Sequence, residues 1–100
     1  MAHSQNQKIM DKIQKVINDD EFDYMVLEWD NHSCQMEITN NRDGTYNVEF
    51  GQFVDQDTLV DNKKYSSLSR NKLLVLISEY EITYIQAEFQ DQRQPLFIEI

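Results

Sequence analysis

Apolar residues in this chain recur first at helical and then at strand spacing. Ile9, Met10, Ile13, Val16 and Ile17 fall at intervals of three and four, which gathers them on one stripe of an amphipathic helix. The spacing predicts a helix over residues 4–18. Ser4 is its N-cap, Gln7 is the capping-box partner three residues on, and Lys8, Lys12 and Lys15 lie on the other side. From residue 24 the period changes to two. Met25, Leu27 and Trp29 alternate with Tyr24, Val26, Glu28 and Asp30. Cys34, Met36 and Ile38 alternate with Gln35, Glu37 and Thr39, and Tyr46, Val48 and Phe50 with Thr45, Asn47 and Glu49. Successive strand side chains point to opposite faces. These are three strands, 24–30, 34–39 and 45–50, each apolar on one side. Asn31-His32-Ser33 and Asn40-Asn41-Arg42-Asp43-Gly44 separate them. Asp-Gly puts a residue that tolerates positive φ before one that prefers it, so the three strands form an antiparallel meander.

The second half is read the same way. Residues 55–64 are polar apart from Leu59 and Val60, and are expected to be a loop. A helix follows over 66–80, capped by Ser67 or Ser69, burying Leu73, Leu74, Leu76, Ile77 and Tyr80. Residues 82–89 have strand composition. Their inward set is either Thr83, Ile85, Ala87 and Phe89 or the alternate one. Pro95 opens a last strand over 96–100, a placement that suits a sheet edge. The expected order is α-β-β-β-α-β-β. That is a single α+β domain over residues 1–100, an antiparallel meander plus a C-terminal hairpin with both helices on one face.

Charge changes this picture. Residues 16–62 hold twelve acids against one base, Arg42, whereas residues 1–15 are mildly basic and residues 63–100 balance. The net charge of −9 is therefore a property of the middle. Nucleic acid and anionic membrane need clustered Lys and Arg, so direct binding to either is not expected. If the apolar side of the meander faces the helices, Glu28, Asp30, Glu37 and Glu49 share the open face, with no Lys or Arg of the meander strands between them. Like charges on neighbouring strands cost roughly a few tenths to 1 kcal/mol per pair. Such a face is expected to dock a basic protein surface, where electrostatics speeds association and selects the partner. The acidic turn Asp19, Asp20, Glu21 and Asp23 and the loop acids Asp55 and Asp57 are further candidates for contact. Tyr24, Phe22 and Trp29 are candidate aromatic anchors, although alternation puts Trp29 in the core.

Chemistry-bearing patterns are scarce. Asp30, His32 and Cys34 are close in sequence, but three mixed donors without a fourth are a poor zinc set. Setting Gly44 at position 6 of a calcium loop puts Thr39 and Phe50 where acids are required. The face carboxylates lie where water reaches them, which neither raises a pKa nor shelters a reaction. No metal, cofactor or catalytic residue is expected. Residues 1–8 lack a signal-peptide core, and no apolar run approaches the roughly 20 residues of a membrane span. One cysteine in a chain of this size suits a reducing compartment, so a cytoplasmic location is expected.

In size, charge and α+β layout the chain resembles the small acidic immunity proteins that neutralise bacterial toxins. The hairpin Asp43-Gly44-Thr45-Tyr46-Asn47-Val48-Glu49-Phe50 is of a kind seen among them. The resemblance implies a non-enzymatic inhibitor that covers a basic, nucleic-acid-handling site with carboxylates. A phage-encoded inhibitor of the anti-CRISPR type, in which carboxylates stand in for phosphates, is a variant of it. A structural or adaptor domain that binds through its last strand, residues 95–100, is a separate alternative.

Overall fold

The computed structural model describes residues 2–55 and 58–99. Asp57 lies outside them. Helix α1 (Ala2–Ile17) leads into strands β1 (Phe22–Trp29), β2 (Cys34–Asn40), β3 (Thr45–Phe53) and β4 (Leu59–Ser69). Helix α2 (Arg70–Ser78) and strands β5 (Tyr84–Phe89) and β6 (Leu96–Glu99) follow. All six strands form one antiparallel sheet in the order β4-β3-β2-β1-β5-β6. The meander and the C-terminal hairpin are both present, and the hairpin joins the meander on the β1 side.

One helix face meets one sheet face. Ile9, Ile13, Val16 and Ile17 of α1 and Leu73 and Ile77 of α2 are buried with Met25, Leu27, Met36, Ile38, Val48, Ile85 and Ala87. Each such side chain larger than Ala87 contributes about 1.5–3 kcal/mol of transfer free energy. The buried set in β5 is thus the one containing Ile85 and Ala87. Trp29 is half-buried on the same side, 4.5 Å from the Tyr80 ring and 6.1 Å from Phe50.

Three expectations need correction. Helix α1 begins at Ala2 rather than at residue 4, so Ser4 sits inside it and is no N-cap. Residues 59–69 are a strand and not a loop, and the second helix starts at Arg70, where Ser69 Oγ accepts from the Lys72 amide at 3.3 Å. The element order is therefore α-β-β-β-β-α-β-β. Strand β4 hides in the sequence because two irregularities in its pairing with β3 break the alternation. Between Tyr65 and Leu68, which pair with Val48 and Tyr46, two residues oppose Asn47 alone. Such a bulge inserts an unpaired residue. Ser67 adopts φ +57° there, and its amide donates to Asn47 Oδ1 at 3.0 Å. Third, Phe22 is fully buried and stacks on Tyr46, so it cannot anchor a partner.

Candidate functional site

Strand register assembles the face that the helices leave open. Paired residues share a side, and three rows follow from the pairings. One runs Glu99, Tyr84, Glu28, Gln35 from β6 to β2. The next runs Phe97, Gln86, Val26, Glu37, Glu49, Lys64 from β6 to β4. The third runs Glu88, Tyr24, Thr39, Asn47 from β5 to β3. Five glutamates, Glu28, Glu37, Glu49, Glu88 and Glu99, thus share one face with Tyr24, Tyr84 and Phe97. Phe97 is 59% exposed, an unusual placement for a phenyl ring.

Glu37 and Glu49 are direct cross-strand neighbours. Donors flank the pair. The Tyr24 hydroxyl donates to Glu37 Oε1 at 2.7 Å, and Lys64 Nζ lies 3.9 Å from Glu49. Burial, and then the bond to Glu37, push the Tyr24 pKa well above its ordinary value, so it stays a donor. The Lys64 pair is exposed on both sides and is worth little. It does correct one expectation: β4 brings a base onto a face that the meander alone leaves wholly acidic.

At one end of the face stands His32. Asp30, Asn31 and His32 make the β1–β2 turn with three successive positive φ angles, and all three residue types tolerate that region better than most. Asp30 therefore belongs to the turn rather than to the open strand face. The turn aims His32 between two carboxylates, with Nδ1 2.5 Å from Glu28 and Nε2 3.3 Å from Glu99. The hydrogen bond to Glu28 is the main cause of a His32 pKa above its ordinary value. A shallow recess of about 480 Å³ beside it is lined by Asn31, His32, Thr83 and Glu99. Asp55 lines a neighbouring recess with Asn31, His32, Ser33 and Phe53. The Phe53 amide donates to Ser33 O at 2.8 Å, which keeps the start of the β3–β4 connection at this end instead of over the face.

The acidic turn lies at the opposite end and is occupied with structure. Asp19 Oδ1 accepts from the Glu21 amide at 2.9 Å. Arg93 reaches Asp19 Oδ2 at 2.6 Å, lies 2.6 Å from Asp91 Oδ2 and covers the Phe89 ring at 4.3 Å. Its guanidinium holds the Asp19 and Asp91 carboxyls below their ordinary values. Arg42 donates to Asp20 O at 2.9 Å and pairs with Asp23 at 3.3 Å. The Gln90 amide donates to Glu21 O. Asp19, which opposes the α1 dipole, thus fastens the chain turn to the β5–β6 connection through Arg93, and Asp23 ties it to the β2–β3 turn through Arg42.

Of the candidate contact residues, Tyr24, Glu28, Glu37 and Glu49 come together on the open face. Asp30 and Asp55 sit at its His32 end, and Asp19, Asp20, Glu21 and Asp23 at the other. Sequence reasoning missed Tyr84, Glu88, Phe97, Glu99 and His32. Fixing Ile85 and Ala87 inward would have turned Tyr84 and Glu88 outward, but nothing in the sequence places β5 beside β1. No three His, Cys, Asp or Glu side chains are grouped as metal ligands among the described residues. No helix among them is long and apolar enough to cross a membrane. No family model, curated protein or solved structure matches the chain.

Proposed function

We propose that this protein is a non-enzymatic inhibitor that docks its open sheet face onto a basic, nucleic-acid-handling protein, in the manner of an immunity protein. The observation that supports it is the five-glutamate array on an uncovered face with three exposed or half-exposed aromatics among the acids. Stability alone does not call for Glu37 opposite Glu49. A basic partner relieves that repulsion on docking, and the aromatics supply the contact area on which hot spots rest. A cytoplasmic setting goes with this reading, since Cys34 is a free thiol.

The phage-inhibitor variant makes a stronger demand. Six strands at a spacing of about 4.8 Å span about 24 Å, and a duplex of that length carries about 14 phosphates at one per roughly 1.7 Å. Five carboxylates over the same width favour docking on a protein surface above literal duplex mimicry. The adaptor alternative rests on a different observation, the exposed edge at β6.

The test is capture from the native host with wild type and with a Glu37→Lys/Glu49→Lys/Glu88→Lys variant, at low salt and at about 0.5 M, where exposed charges are screened. We expect a basic protein to be retained by wild type at low salt and lost in the variant. Retention that ignores both salt and charge reversal would move the interface off this face.

A further inference from the structure

We infer that the groove between α1 and the C-terminal hairpin takes an extended acidic–apolar segment of a partner protein, which adds as a seventh strand to the open edge of β6. This site lies on the helix side of the sheet and does not depend on the acidic face.

The groove measures about 400 Å³. Its walls are Val16, Phe89, Leu96 and Ile98, with Lys12 and Lys15 along the α1 rim. Leu96 pairs with Ala87 and Ile98 with Ile85, so both point toward the helix layer. Yet both stay half-buried while Ala87 and Ile85 are sealed, so the helix layer stops short of the last strand. Beyond β6 the sheet has no further strand among the described residues. A strand's outer edge offers a row of backbone donors and acceptors. An extended peptide placed there gains main-chain hydrogen bonds, and every second side chain drops to the helix side next to Leu96 and Ile98.

Charge selects the occupant. Lys12 and Lys15 form no ion pair among the described residues, whereas Arg93 at the groove's end is already held by Asp19 and Asp91. The rim is thus a small basic strip on a chain of net charge −9, and acids on the helix-side positions of an incoming strand meet it. A second copy is a poor candidate, because two chains of that charge repel. A small anionic amphiphile would satisfy the lysines and the apolar wall but would leave the β6 edge unused.

The probe is a blocked peptide in which valine and isoleucine alternate with threonine and lead into two aspartates on the valine–isoleucine side. Its counterpart carries lysines in place of the aspartates, and laurate serves as a separate ligand. Amide and methyl NMR shifts of the full chain report binding. We expect the acidic peptide to shift the Leu96–Glu99 amides and the Val16 and Ile98 methyls. The Lys12→Glu/Lys15→Glu variant should bind it about tenfold more weakly, as the loss of two exposed pairs implies. Unmoved β6 amides at millimolar peptide, or equal binding of the lysine peptide, would overturn the inference. So would laurate shifting the groove methyls where the acidic peptide does not, which would mark a small-amphiphile site. Partner capture that survives charge reversal of the open face while the acidic peptide still shifts the β6 amides would mark failure of the first site alone, and unmoved β6 amides with capture lost in that variant would mark failure of this one alone.

Discussion

On β1, Phe22, Met25 and Leu27 are shut beneath the helices, while Tyr24, Val26 and Glu28 on the same strand look away from them. The carboxylates divide in a second way. Asp19, Asp23, Asp43 and Asp91 at the strand ends each meet a backbone amide, a hydroxyl or an arginine. Glu37 and Glu49 on the face meet one tyrosine, one distant lysine and each other. Acids of the first kind close turns. Those of the second kind gain little from the fold, which is what a surface kept for a partner requires. Composition counts both alike, and only the sheet register tells them apart.

The largest test of the division compares Phe22 with Tyr24. Phe22→Ala leaves a cavity in the core and is expected to cost about 3–5 kcal/mol. Tyr24→Phe loses one hydrogen bond on the open face, worth about 1 kcal/mol, while weakening partner capture. Urea midpoints measure the first quantity and pulldown the second. Equal stability losses from the two variants would mean that the faces are not distinct.

Arg93 probes the end acids. Arg93→Ala is expected to lower the urea midpoint more than Asp20→Ala, since Arg93 holds Asp19, Asp91 and the Phe89 ring together. The Asp19 and Asp91 carboxyls titrate below the ordinary value of about 3.9 when folded. Their contribution is therefore complete above that value and is lost as pH falls through the lower folded one. Urea midpoints measured across the acid range should show a shallower decline in Arg93→Ala than in wild type. Identical acid limbs would show that the arginine is not the cause.

Much of this was legible in the sequence, and the omissions have physical causes. The period-2 runs identified β1, β2 and β3 and their buried faces because each strand is regular and covered on one side. Strand β4 escaped because a bulge opposite Asn47, a second irregularity near Gly51 and an edge position remove both alternation and apolar residues. The face was half visible. Glu28, Glu37 and Glu49 follow from local alternation, whereas Glu88, Glu99, Tyr84 and Phe97 join them only through the non-local pairing of β1 with β5. The Asp19–Glu21 turn was readable as acidic but not as paired, since Arg93 lies far along the chain.

His32 gives a test at neutral pH. Its ring faces Glu28, Glu99 and Tyr84, with Asp55 lining the recess beyond. The folded pKa lies above the ordinary value of about 6.5. The stabilising contribution is thus whole below about 6.5 and is lost as pH rises through the folded value. Stability should fall slightly across that window in wild type. It should stay flat in His32→Asn, where asparagine keeps the left-handed backbone at little cost. A fall of the same size in the variant would assign the pH dependence elsewhere.

The smallest effect bears most directly on the role proposed for the face. Glu37→Gln keeps an oxygen for the Tyr24 hydroxyl and removes one charge of the Glu37–Glu49 pair. Relief of a like-charge cross-strand pair is worth a few tenths of a kcal/mol to about 1 kcal/mol, less at high salt. The variant should therefore be slightly more stable than wild type at low ionic strength and should bind the partner less well. That sign is the informative part. A residue kept for the fold loses stability when replaced, whereas a residue kept for a partner can be replaced with a gain. If Glu37→Gln instead destabilises the protein and leaves capture intact, the glutamate belongs with the structural carboxylates at the strand ends.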